Sequence, residues 1–392
     1  MLHRQINHSP DIKKLRDSGY EVEIIGNYLL VHSVPYLNAQ KEIVLGTLVT
    51  NVSIANNQVT KPNNHVIHFS GEFPCNTDGT KIIQIQHASQ TKNLADGITV
   101  NHSFSNKPPN GYSDYFEKIT QYIKIISAPA KHYDSSITAK NYKVIEILEQ
   151  DSVLNYSDTN SSKAEIDVIN QKLSGLKIGI IGLGGTGSYI LDFVAKTLVG
   201  EIHLFDGDVF LQHNAFRAPG APSVAELNES EKKVDHYHRI YSKMHKHLIP
   251  HALYVNKMNL GLLNNLDFVF ICIDKSEVKK LIFEKLESLE IPFIDTGIGV
   301  DRVDDSLIGM VRTTTSSTEK RSHVWNGRIG FADEENDAYS SNIQIAELNA
   351  LNAVFAVMKW KKLFGFYNDL ENEFDSCYNL NVNNITNNDN AA

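Results

Sequence analysis

Asp206, Asp208, Asn214 and Arg217 fall within the stretch DGDVFLQHNAFR, Lys233 follows in EKKVD, and Asp274 ends DFVFICID. These are the residue types that nucleotidyl transfer needs, with cations to offset phosphate charge and a carboxylate for magnesium. Arg217 can fork onto phosphate oxygens as a permanently charged donor, and Lys233 adds a point charge. Asp206 closes a strand, in the place where an acidic residue accepts hydrogen bonds from a ribose. Each residue also has a plainer reading: Arg217 as a surface ion pair, Lys233 as a solvated helix residue, Asp274 as the N-cap of KSEVKKLIF. Their order along the chain is more specific than any one of them.

Ahead of this series lies IGIIGLGGTGSYILDF, residues 178–193. Gly182, Gly184 and Gly187 form GxGxxG between a strand and a helix, the context in which the motif means nucleotide binding. Missing side chains permit the tight turn and let phosphate approach the N–H groups at the helix start. A dehydrogenase would share the loop and Asp206. An NAD-dependent oxidoreductase, however, leaves Arg217, Lys233 and Asp274 without a role.

The elements that must position these groups follow from periodicity. After Lys177 the strands KIGIIGL, EIHLFD, HALYVN, DFVFICID and IPFIDTGI alternate with amphipathic helices, one lined by Val234, Tyr237 and Tyr241 and another by Val278, Ile282 and Leu286. Such alternation predicts an α/β fold with a Rossmann-like doubly wound sheet. Residues 312–341 are expected to wander over the surface as a polar loop. A helix over 342–363 should present Ile345, Leu348, Phe355 and Met358 on one stripe. The Asn-rich tail NVNNITNNDNAA is expected to be disordered in part.

Upstream, YEVEIIG, YLLVHSV, GTLVTNVSI, HVIHFSG, KIIQIQ and GITVNHSF read as strands, followed by a helix from Tyr115 to Ser127. These make a smaller α+β domain over 1–150. A polar linker and a leading helix occupy 151–174, the nucleotide domain 175–367, and the tail 368–392.

The 392-residue chain is 42% hydrophobic with a net charge of −9, which argues against a nucleic-acid backbone as partner. No apolar run reaches the length of a membrane span, and the reading is cytoplasmic. Cys75, Cys272 and Cys377 form no CxxC pair, so no disulfide framework or four-cysteine zinc site is expected. Cys272 reads as an inert core residue, while Cys75, on a loop, and Cys377, beyond the last helix, are open as transfer sites. The histidines at 65, 68, 236, 238, 245, 247 and 251 do not share strand or helix faces as metal ligands would.

Between about 175 and 367 the chain resembles the E1-like adenylating enzymes typified by the ThiF and MoeB proteins. The matching positions are Gly182, Gly184, Gly185, Gly187 and Ser188 of a GxGGxGS loop, then Asp206, Asp208, Asn214, Arg217, Lys233 and Asp274. The resemblance implies ATP-dependent adenylation of the C-terminal carboxylate of a ubiquitin-like protein, with release of pyrophosphate. It implies that the glycine loop, Ser188, Asp206, Asp208, Asn214, Arg217 and Lys233 bind ATP, and that Asp274 positions Mg²⁺. It further implies a homodimer in which a basic residue reaches the other subunit's ATP, with Lys163 as the candidate. An E2-like protein is an implied partner, and the amino-terminal domain an implied docking element. The chain departs from many relatives because 312–341 holds no cysteine to form a thioester. That leaves a non-catalytic nucleotide-binding scaffold as a rival reading.

Overall fold

The computed structural model describes residues 9–55, 58–144, 152–331 and 343–389. The chain divides into two units, residues 1–149 with 157–163, and residues 150–156 with 164–392.

Unit 1 starts with helix α1, Pro10–Asp17, whose proline at the first turn suits a helix start. Strands β1 (Val22–Ile25), β2 (Tyr28–Leu37), β3 (Ile43–Asn51), β4 (Val66–Ser70), β5 (Gln86–Ala95) and β6 (Ile98–Ser105) form an antiparallel sheet in the order β1-β2-β3-β4-β6-β5. Helix α2, Tyr115–Tyr133, is capped by Asp114, which accepts from the Glu117 N–H at 2.7 Å. It buries Ile119, Tyr122, Ile123 and Ile126 in a core shared with Leu29, Val31, Phe69 and Phe104. The expected strand KIIQIQ is instead a 3₁₀ turn at Ile83–Ile85, and the strand begins at Gln86. Seven of its ten residues are polar and exposed, so an edge strand here carries no apolar alternation to mark it. The linker region also holds a short helix, Thr159–Lys163.

Unit 2 opens with β7 (Lys177–Ile181), helix α3 (Gly185–Val194) and β8 (Glu201–Phe205), then α4 (Lys233–Tyr241) and β9 (Leu248–His251). Next come β10 (Phe268–Ile271), α5 (Ser276–Ser288), β11 (Phe293–Val303), β12 (Ser306–Ser316), α6 (Ala346–Leu363), β13 (Asp375–Asn379) and β14 (Asn384–Asn388). The sheet order is β9-β8-β7-β10-β11-β12-β13-β14. From β9 to β11 neighbouring strands are parallel, and from β11 to β14 they are antiparallel. The strands of HALYVN were expected at 251–256, but pairing with β8 ends at His251. Strand order reverses between β7 and β10, the switch point beyond whose carboxyl ends such sheets bind ligands.

Two polar stretches depart from expectation. Residues 313–316 are no surface loop: Thr313, Thr314, Thr315 and Ser316 are buried in β12. Their hydroxyls have partners, Thr314 donating to Asp375 Oδ1 at 2.7 Å and Ser316 to Glu287 Oε1 at 3.1 Å, which lets a polar run enter the core. Residues 332–341 of the expected loop, and residue 342 of the expected helix, lie outside the described residues. In the Asn-rich tail, residues 384–388 pair as β14 along β13 rather than remaining disordered.

Helix α6 buries Asn349, Asn352, Ala353, Ala356 and Trp360, while Met358 of the expected stripe is exposed. Where it meets α3, the Asn349 side chain lies against Gly185 and accepts from the Thr186 hydroxyl at 3.0 Å. Among the described residues no helix is long and apolar enough to cross a membrane.

Candidate functional site

At the carboxyl ends of β7, β8 and β10 lies a cavity of about 350 Å³, within the range of small-molecule sites. Gly182, Gly184, Gly185 and Thr186 line it from the loop, Asp206, Asp208, Arg217 and Lys233 from one side, and Asp274 from the other. Phe205, Leu253, Val255 and Ile273 supply an apolar wall.

The loop glycines have separate reasons. Gly182 has φ +90° and sits against the Cys272 carbonyl, where a Cβ would approach to 2.6 Å. A Cβ on Gly187 would meet the Gly182 carbonyl at 1.8 Å, and one on Gly185 would meet Asn349 of α6 at 2.2 Å. Gly184 differs: it has a negative φ of −73°, and no described residue comes within 4 Å of an added Cβ. Only the cavity faces it.

Asp206 is buried and spends both oxygens on backbone, accepting from the Leu183 N–H at 2.7 Å and the Asp208 N–H at 2.8 Å. It ties the loop to the turn after β8. Asp208 has the more exposed carboxylate; Lys233 Nζ lies 2.8 Å from its Oδ2, and the Tyr254 hydroxyl donates to Oδ1. The hydrogen bond from Lys233, then that from Tyr254, hold the Asp208 carboxyl below its ordinary range. Lys233 is itself buried and stands 3.7 Å from Asp206. The Arg217 Nε is buried with no hydrogen-bond partner among the described residues. Asp274 is exposed at the cavity mouth.

Not every expected residue enters the cavity. Asn214 is buried and accepts from the Leu211 N–H at 2.9 Å, capping its own short turn. Ser188 is buried and donates to the Gly185 carbonyl at 2.8 Å inside α3. Neither lines the cavity, whose lining instead includes Tyr254, Asn349 and Asn352, unmarked by any motif. The amides of Asn349 and Asn352 could have been found only by knowing that α6 crosses α3. Lys163 falls in unit 1, with its ammonium 5.6 Å over the Tyr142 ring.

Burial raises all three cysteine thiols above their ordinary range. Burial pushes the Cys272 thiol up to about 12 at the cavity wall. Cys75 is 1% exposed rather than on an open loop, its thiol donating to the Phe73 carbonyl at 3.3 Å, and burial raises it too. Cys377 lies on β13, likewise raised by burial.

A doubly wound domain with a glycine loop, cations and carboxylates gathered at its switch point defines a nucleotide-binding protein. The model of the ThiF family matches residues 156–361, just over half of the chain, and the chain belongs to that family. Residues 10–159 match a domain of unknown function, DUF6791. Among solved structures similar in fold, PaaA is 16% identical, with 59% of this chain and 80% of that chain covered and a TM-score of 0.45. MccB of E. coli is 19% identical, with 57% and 65% covered and a TM-score of 0.45, so the chain spans just under two thirds of it. The E. coli tRNA N6-threonylcarbamoyladenosine dehydratase TcdA is 15% identical, with 53% and 92% covered and a TM-score of 0.40. The curated proteins give no sequence match.

Proposed function

We propose that unit 2 is an ATP-dependent adenylating enzyme whose substrate is the C-terminal carboxylate of a ubiquitin-like protein. Family membership supports adenylation in general. The observation that carries the reading is the pairing, in one cavity, of open space at Gly184 with a buried Arg217 Nε that has no partner among the described residues. The first is a cradle that a side chain would fill; the second is a donor lacking an acceptor. Both fit a phosphate.

In this reading Gly184 and the start of α3 receive the phosphates, and Arg217 and Lys233 offset their charge. Asp206 accepts from the ribose while its backbone hydrogen bonds shape the loop, and Asp208 holds Lys233 beside it. Asp274 would hold magnesium, which supplies further charge offset when bound. The incoming carboxylate is already a nucleophile, so the chain contributes positioning and electrostatics rather than a general base. The raised thiols of all three cysteines favour transfer of the activated carboxyl directly to a separate protein. A homodimer, an E2-like partner and docking by unit 1 complete the proposal.

The test is ATP–pyrophosphate exchange with magnesium and ubiquitin-like proteins, comparing the native chain with Asp274→Ala. Exchange that requires the partner and drops about 10²-fold or more in the variant is expected. ATP binding without exchange for any such partner would favour the scaffold.

A further inference from the structure

Helix α5 opens on a residue type that helix starts disfavour. Its N-cap is Lys275, not Asp274, and a lysine has no oxygen with which to accept from the helix N–H groups. The place favours an acceptor and a negative charge, so a cation there opposes the helix dipole. Lys275 is exposed and lines the nucleotide cavity, and among the described residues it pairs with no carboxylate. Its seat is aromatic, with Nζ 5.5 Å from the ring centroid of Tyr254. That ring is fixed in turn: its hydroxyl donates to Asp208, and its carbons pack on Gly207, where an added Cβ would come within 2.8–2.9 Å. The other two cations lining the cavity are placed differently. Lys233 is buried and shared between Asp208 at 2.8 Å and Asp206 at 3.7 Å, and the Arg217 Nε is buried.

We propose that the Lys275 ammonium binds the outer phosphates of the nucleotide, and so separates a nucleoside triphosphate from a monophosphate. This deepens the adenylation reading and rests on it. Arg217 and the start of α3 serve phosphate inside the cavity, but Lys233 divides its charge between two carboxylates. The far end of a triphosphate therefore needs a further cation, and Lys275 is the one at the mouth that no described carboxylate already holds. A charge-assisted bond to a phosphate oxygen is stronger than an exposed contact with a ring, so the lysine leaves Tyr254 when a triphosphate arrives. Its charge then offsets that of the departing pyrophosphate. The cost at the helix start is the local price of that function.

The experiment measures binding of ATP and of AMP, with magnesium, to the full chain in its native form and as Lys275→Asn and Lys275→Arg, with a thermal midpoint for each. Asparagine is a good N-cap, so the midpoint of Lys275→Asn should hold or rise. ATP should nevertheless bind about tenfold more weakly, on the scale of one charged hydrogen bond, while AMP binds as before. The difference in ATP affinity should narrow as salt is raised. Lys275→Arg keeps the charge and should keep most of the ATP affinity. Equal weakening of ATP and AMP, unchanged ATP affinity in Lys275→Asn, or a lowered midpoint there would overturn the assignment while leaving adenylation standing. Failure of the native chain to bind ATP would remove both.

Discussion

Gly184 and Gly185 are neighbours that lack side chains for different reasons, and substitution separates them. Gly184→Ala meets no protein atom, so the thermal midpoint should hold or rise slightly, while nucleotide affinity falls at least about tenfold because the methyl fills the cradle. Gly185→Ala drives a Cβ to within 2.2 Å of Asn349, so chemical denaturation should show a loss of about 1–3 kcal/mol. Sequence alone grouped both under one motif. The distinction needs α6, which is far away in the chain and close in space.

At the scale of elements, a buried carboxylate ties three of them together. Asp295 on β11 is fully buried, with Lys279 of α5 at 2.9 Å and Arg312 of β12 at 2.7 Å. Asp295→Ala would leave two cations without their carboxylate. A loss of about 3–5 kcal/mol is expected in urea unfolding, far beyond that for an exposed pair such as Arg302 with Asp305. Residue types do not reveal this triad. Parallel strands and their helices were legible because a repeating apolar period survives in one dimension, whereas the polar β12 was not. Its threonines are satisfied by partners from β13 and α6, and such satisfaction is a property of pairs.

For the whole molecule, acid is the telling variable. Burial pushes the His245 imidazole down to about 4, with its Nε2 against the Val199 carbonyl at 3.0 Å. The unfolded chain would protonate it near pH 6.5. Its contribution to stability is therefore whole above that value and drains as pH falls from 6.5 towards 4, by on the order of 3 kcal/mol. Denaturation midpoints measured across that window should fall with acid, and His245→Gln should flatten the slope. His236 and His251 are depressed by burial in the same direction.

What the sequence determined by itself was the doubly wound sheet, the glycine loop at the end of its first strand, and the cations and carboxylates gathered there. Those features live in local periodicity and short spacing. Tertiary structure decided which member of each motif faces the ligand space. Asp206 orders the loop while lining the cavity beside Asp208, Asn214 and Ser188 were absorbed into their own turns, and Tyr254 and Asn349 arrived from elsewhere. Direction and partnership depend on packing between distant segments, and a linear spacing carries neither.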